Sequence, residues 1–135
     1  MRTRIMAVLA VLALVGCNPT EKDWTDAQID HLRNEAYQFA LKYDEKNVKC
    51  EVAHVVRLED EYQVALYAGM NVPADGYAIL GSRTIVMNKN TLDPLFVFFH
   101  EGYHIVFQRG RAYQDEADRF ATYCAIKHKW PKTDD

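Results

Sequence analysis

The sequence predicts a small α+β domain in which one helix precedes a group of strands and two further helices follow them. Two observations carry this prediction. Apolar residues recur at spacings of three and four in the segments 26–43 and 113–129, whereas the stretch between them is rich in valine and in turn residues. The 135-residue length and the 49% hydrophobic content fit a single core, without a long linker or an internal repeat.

The first helix is predicted over residues 26–43. Thr25 and Gln28 have the spacing of a capping box, and an apolar stripe continues from Ile29 to Tyr43. One apolar face on a helix must be buried against another element. We therefore expect this helix to cover a sheet.

The sheet is predicted in the middle of the chain. Residues 51–58 are rich in valine, residues 62–68 alternate like a half-buried strand, and an acidic turn separates them, so we expect an antiparallel hairpin. Residues 77–80 and 84–88 follow as short strands around Gly81. Residues 84–88 are either an edge that binds an extended substrate or a plain core strand.

Two helices are predicted after the sheet. Asp93 is placed as an N-cap and Pro94 at the first helical position, so a helix runs to about Gln108 with Gly110 as its C-terminal cap. A last helix is predicted over residues 113–129, before Trp130 and Pro131 end it.

The start of the chain has the layout of a secretory signal: a basic beginning, an apolar run over residues 5–15 and a small-residue site. Leu14-Val15-Gly16-Cys17 resembles the lipobox of bacterial lipoproteins, in which the cysteine is acylated and the chain is cut before it. An ordinary secretory signal with an incidental cysteine is the alternative.

The lipobox resemblance implies three segments: a lipoprotein signal peptide over residues 1–16, a lipidated tether over residues 17–24 and the folded domain over residues 25–135. It also implies that the protein contacts a membrane through lipid on Cys17 in the bacterial cell envelope. Asn18 follows the cysteine where aspartate marks inner-membrane retention, which favours the periplasmic face of the outer membrane.

Charge and cysteine content add two expectations. The 16 basic and 19 acidic residues form no long block of one sign, so nucleic acid is not an expected partner. With Cys17 assigned to lipid, Cys50 and Cys124 remain in a compartment that permits disulfides, and we predict that they pair. Two separate buried thiols are the alternative.

The segment His100-Glu101-Gly102-Tyr103-His104 has the form H-E-x-x-H and lies within a predicted helix. Residues four apart share a helix face, so both imidazoles can bind one Zn²⁺. Glu101 is then the catalytic base that takes a proton from water. The motif predicts hydrolysis of an amide bond in a protein or peptide, and the alternative is a helix with two unrelated surface histidines.

Candidates for the third zinc ligand lie in the helix that follows the motif. Residues 114–121 read Q-D-E-A-D-R-F-A, and together with H-E-x-x-H they resemble the zincin-like gluzincin metallopeptidases, especially the ImmA/IrrE group with its E-x-x-A-[ND]-x-F-A helix. That alignment places the ligand position on Gln114, and a neutral amide is a poor zinc ligand. Glu116 is therefore predicted as the third ligand, with Asp115 as the alternative, and Asp118 as an acceptor that orients one imidazole.

Three functions remain possible at this point: an envelope zinc peptidase, a binding protein with this fold whose catalysis is weak or lost, and a structural lipoprotein without metal. Other titratable residues do not discriminate between them. Tyr113, Tyr123 and His128 are possible electrophilic helpers by residue type alone, whereas His31 and His54 carry no signal.

Overall fold

The computed structural model describes residues 24–132. The predicted signal peptide, Cys17 and the tether up to residue 23 lie outside this range. Within it the chain is α+β, as predicted, with four α-helices and a three-stranded mixed sheet. The elements in chain order are α1 (Asp26–Asp44), β1 (His54–Leu58), α2 (Glu61–Ala68), β2 (Gly76–Ile79), β3 (Thr84–Asn88), α3 (Pro94–Val106) and α4 (Gln114–Lys127).

The sheet has the strand order β1-β3-β2. β1 pairs with β3 in parallel, with Val56 opposite Val86, and β2 pairs with β3 in antiparallel, with Ala78 opposite Ile85. β3 is the central strand, and its first four residues are buried. Residues 84–88 therefore form a core strand, and the proposal that they are a substrate-binding edge is wrong.

The predicted hairpin between residues 51–58 and 62–68 is also wrong, because residues 61–68 form helix α2. The Asp60 carboxylate accepts hydrogen bonds from the backbone N–H groups of Tyr62 and Gln63, which begins the helix. Gly69 ends it with a φ of 72°, a left-handed conformation that glycine adopts without strain. The helix belongs to the crossover that two parallel strands require.

Helix α3 lies between the sheet and helices α1 and α4, whereas α2 packs directly on the sheet. A Cβ atom on Gly102 would lie 3.7 Å from Ala36 of α1 and 3.9 Å from Ile85 of β3. Phe98, Phe99 and Tyr103 of α3 are fully buried. α1 packs mainly against α3 and α4, so α3 covers the sheet where α1 was expected to do so.

The N-terminal end of α1 bears on two of the sequence predictions. The capping box of Thr25 and Gln28 is confirmed, with both reciprocal hydrogen bonds present. Trp24, which was assigned to the tether, is 6% exposed and contacts the edges of Phe98 and Trp130. The fold therefore begins at or before Trp24.

The predicted disulfide is not present, because Cys50 and Cys124 are both free. Cys50 precedes β1, and its thiol donates to the carbonyl of Ile105 at the end of α3. Cys124 is fully buried on α4, where burial raises the pKa of its thiol and the charge of Glu35 raises it further. The two thiols therefore pack in different surroundings. Cys124 is buried, as the alternative stated above expects, whereas Cys50 is half-buried.

The connection between α3 and α4 differs from the prediction in its cap. α3 ends at Val106, and Gln108 rather than Gly110 adopts the positive φ, at 51°. A short 3-10 turn over Arg111–Tyr113 then leads into α4. No helix within residues 24–132 is long and apolar enough to cross a bilayer.

Candidate metal centre

Helix α3 presents the two histidines of the motif on one face. Asp93 accepts a hydrogen bond from the Phe96 N–H, and Pro94 occupies the first turn, so the helix begins where the sequence predicts. The His100 and His104 rings lie one turn apart, with centroids separated by 5.1 Å. The first residue of α4, Gln114, lies opposite both rings.

His100 is oriented by α4. Its Nδ1 atom is 2.8 Å from Oδ1 of Asp118. A carboxylate can only accept, so Nδ1 donates and Nε2 of the neutral ring keeps its lone pair. That Nε2 atom lies 2.9 Å from Oε1 of Gln114. Asp118 therefore occupies the orienting position proposed for it.

His104 is oriented by the loop that follows α3. Its Nδ1 atom donates to the backbone carbonyl of Arg109 at 2.7 Å, and its Nε2 atom lies 2.8 Å from Oε1 of Gln114. The residue is 6% exposed. A buried imidazole fixed through one nitrogen has its other nitrogen aimed in a defined direction.

The donor atoms of His100, His104 and Gln114 converge on one point. Both imidazoles donate through Nδ1, so two Nε2 lone pairs meet the lone pairs of an amide oxygen. Oε1 of Gln114 lies within 3 Å of both Nε2 atoms, and lone pairs this close repel one another unless a cation or a second ring proton lies among them. Imidazole nitrogens suit Zn²⁺, whereas a neutral amide oxygen holds it more weakly. Without a cation, the Gln114 amide can turn end for end and donate its NH₂ group to both nitrogens.

The structure does not place Glu116 with the histidines. Its carboxylate pairs with Arg119, and burial together with the charge of Glu116 raises the pKa of Tyr43 on α1. Gln114 and Asp118 are four residues apart and share a face of α4, whereas Glu116 is two residues from each and lies on the opposite side. The structure therefore brings Gln114, and not Glu116, against the two histidines, and Asp115 is exposed.

Glu101 lies beside the convergence point. Its carboxylate and ligand atoms of His100 and His104 all lie within 4.8 Å of one another. Burial raises the pKa of Glu101 to about 8, and the charge of Asp118 contributes to the same shift. A raised pKa in a cleft is typical of acid-base groups in enzymes.

Strand β2 passes directly over this carboxylate. A Cβ atom on Gly76 would lie 2.9 Å from Cγ of Glu101 and 2.8 Å from Cγ1 of Val97, so only glycine fits without displacing a neighbour. β2 is an edge strand beside a cleft of about 350 Å³. Met70, Tyr77 and other residues line this cleft, and it also includes Glu101, His104 and Gln114.

The remaining residues considered in the sequence lie in various places. Tyr113 is 41% exposed and packs against the Arg109 guanidinium, while Tyr123 packs against Tyr43. His54 is exposed on β1. His31 and His128 form a separate cluster with Glu35. Sequence reasoning missed this cluster because no local spacing connects His128 to the other two residues, and His128 is 93 residues from Glu35.

Comparison with known proteins adds no family to this geometry. No protein-family model matches the chain, and neither a curated protein nor a solved structure is significantly similar to it. The function must therefore be inferred from the residues of the centre.

Proposed function

We propose that this chain is a zinc-dependent peptidase of the bacterial cell envelope, anchored through lipid on Cys17 at the periplasmic face of the outer membrane. His100, His104 and Gln114 would hold the ion, and Glu101 would be the catalytic base. One observation carries the proposal: two Nε2 lone pairs and an amide oxygen converge beside a buried carboxylate.

The chemistry divides between the ion and the chain. A bound zinc ion supplies Lewis acidity, which lowers the pKa of water and polarises a carbonyl group. Glu101 ionises more readily beside a bound cation, because opposite charge favours the carboxylate. The ionised Glu101 then accepts a proton from water and can return it to the leaving amine. Asp118 and the Arg109 carbonyl keep both imidazoles in the ligating tautomer.

The substrate class follows from the cleft. β2 is an edge strand whose residues Tyr77 to Ile79 line the cleft beside Glu101. An extended peptide can add to such an edge through backbone hydrogen bonds, which orient the chain without reading its side chains. We therefore infer a protein or peptide substrate that binds in extended form.

Gln114 favours a second candidate function. A neutral amide holds zinc less well than a carboxylate, and the turned amide can satisfy both histidines without any ion. The chain would then be a catalytically weak or inactive zincin-like lipoprotein that presents this cleft to a binding partner. Catalysis distinguishes the two functions.

The test uses the purified full-length chain and its Glu101→Gln variant. If the peptidase proposal is correct, the wild type hydrolyses a denatured protein or a mixed peptide library in a zinc-dependent way. Glu101→Gln should lower the rate by about 10²- to 10⁴-fold and leave the zinc content unchanged. Equal rates for both proteins would favour the binding role.

Metal content tests the ligand assignment separately. The double variant His100→Ala/His104→Ala should bind one zinc ion fewer per chain than the wild type. Gln114→Glu should tighten zinc binding by roughly tenfold or more, about 1.4 kcal/mol, because a negative ligand replaces a neutral one. Glu116→Gln is the matched control and should leave zinc content and affinity unchanged, since Glu116 pairs with Arg119. A loss of zinc in this control would restore the Glu116 assignment.

A further inference from the structure

A second group of potential metal ligands joins helix α1 to the segment after α4. His31 and Glu35 lie one turn apart on α1, and His128 follows the last residue of α4 directly. One ligand atom from each residue lies within 4.8 Å of the other two. This cluster shares no residue with the His100 centre.

Five potential ligand atoms from four residues face one another in this cluster, because both oxygens of Glu35 take part. His31 Nε2 lies 3.3 Å from Oε2 of Glu35 and 2.7 Å from the backbone carbonyl of Lys129. His128 Nδ1 lies 2.5 Å from Oε1 of Glu35. The backbone N–H of Lys129 donates to Oε2 of Glu35, which holds the carboxylate in place.

The cluster is largely shielded from solvent. The side chains of Glu35 and His128 are 11% and 7% exposed, and that of His31 is 25% exposed. The Trp130 ring covers both imidazoles, with centroid distances of 4.5 Å to His128 and 5.8 Å to His31. Among the described residues nothing hydrogen-bonds Nε2 of His128, so the ring is aimed through Nδ1 alone. The packing of Trp130 therefore limits the access of water to the cluster.

We propose that His31, Glu35, His128 and the Lys129 carbonyl form a second site, for a structural Zn²⁺ ion. Two imidazole nitrogens, one carboxylate oxygen and one carbonyl oxygen make a four-coordinate set with the ligand types that zinc takes. Ligands about 2.1 Å from a tetrahedral ion are about 3.4 Å from one another. The 3.3 Å separation of His31 Nε2 from Oε2 of Glu35 already has this value, and the two shorter separations would open by less than about 1 Å. Nδ1 of His128 faces the other oxygen, Oε1, so the carboxylate would turn to offer one oxygen to the ion.

Binding would exchange protons for the ion. In the hydrogen-bonded form, Nε2 of His31 and Nδ1 of His128 carry protons that point at oxygen atoms. The ion would take the place of the proton at each of these nitrogens. A neutral ring would move that proton to its other nitrogen, and a doubly protonated ring would release one proton. The bound ion would tie the C-terminal segment to α1. All four places around it are filled by the chain, which is typical of structural rather than catalytic zinc.

The test removes the first centre and asks whether zinc remains. The full-length chain with His100→Ala and His104→Ala, dialysed against Zn²⁺ and freed of excess metal, should retain one zinc ion per chain. Zinc should also raise its melting temperature by at least about 5 °C. Adding His31→Ala to this background should abolish both effects. His54→Ala is the matched control and should preserve both, because His54 is exposed outside either cluster.

The outcomes separate this proposal from the proposed function. Absence of zinc in the His100→Ala/His104→Ala background would overturn the second site while leaving the peptidase centre intact. Retention of zinc after His31→Ala would also overturn it. The adjacent variant His128→Ala provides a second test if it folds, and His31 is the more exposed ligand, so its replacement disturbs the core less.

Discussion

The pH dependence of stability depends on Glu101 in the metal-free protein. The folded state keeps the Glu101 proton up to a pH of about 8, because burial raises its pKa, whereas the unfolded chain releases the proton near the ordinary value of 4.5. Between these values the folded state binds more protons, so the free energy of unfolding falls as the pH rises. The difference between the two pKa values, at about 1.4 kcal/mol per pH unit, lowers the free energy of unfolding by at most roughly 5 kcal/mol.

Glu101→Gln removes this titration. The variant should match the wild type near pH 4.5 and exceed it in stability by several kcal/mol at pH 8, because the amide is neutral throughout. Urea unfolding of chelator-treated full-length protein, followed by circular dichroism from pH 4.5 to pH 9, measures the difference. Subtracting the two curves removes the contributions of titratable groups that lie far from Glu101. Parallel curves for the two proteins would refute the assignment of the raised pKa to Glu101.

Three further predictions concern packing and capping, each measured by urea unfolding. Gly76→Ala should cost about 1–3 kcal/mol because its Cβ atom would overlap side chains of α3, whereas Gly81→Ala, with no atom within 4 Å, should change stability by less than about 0.5 kcal/mol. Phe120→Ala should cost about 3–5 kcal/mol at a fully buried position, and Ile126→Ala, at 79% exposure, should be nearly neutral. Asp60→Ala should cost about 1 kcal/mol, because it removes the N-cap of α2; no loss there would argue against the helix.

Local signals predicted the elements that begin and end with strong markers. The capping box at Thr25 and the Asp93-Pro94 pair placed the starts of α1 and α3 correctly. α2 was missed because its first four residues alternate in polarity and the segment includes tyrosine and valine, which also suit strands. Asp60 and Gly69, its two caps, were present in the sequence but were interpreted as parts of turns.

The parts of the site that lie close together in the sequence were predicted, and the parts that depend on contacts between distant residues were not. His100, Glu101 and His104 lie within five residues, so the helical period alone brings them together. Which side chain of α4 faces the two histidines depends on the rotation of α4 about its own axis, and tertiary packing sets this rotation. The preference for a charged ligand led to Glu116, although the A-D-x-F-A register already indicated Gln114. The His31 cluster joins residues 97 positions apart, and no periodicity reports such a contact.

If Cys17 carries lipid, as proposed, the burial of Trp24 limits how far the folded domain can extend from the membrane. Seven peptide units separate Cys17 from this core residue, and a fully extended chain of that length spans about 25 Å. With an acyl chain on Cys17, as proposed, the domain would remain within roughly its own diameter of the lipid headgroups. Its substrates would then be bilayer-embedded proteins or chains emerging from them, and proteins in the middle of the periplasm would remain out of range.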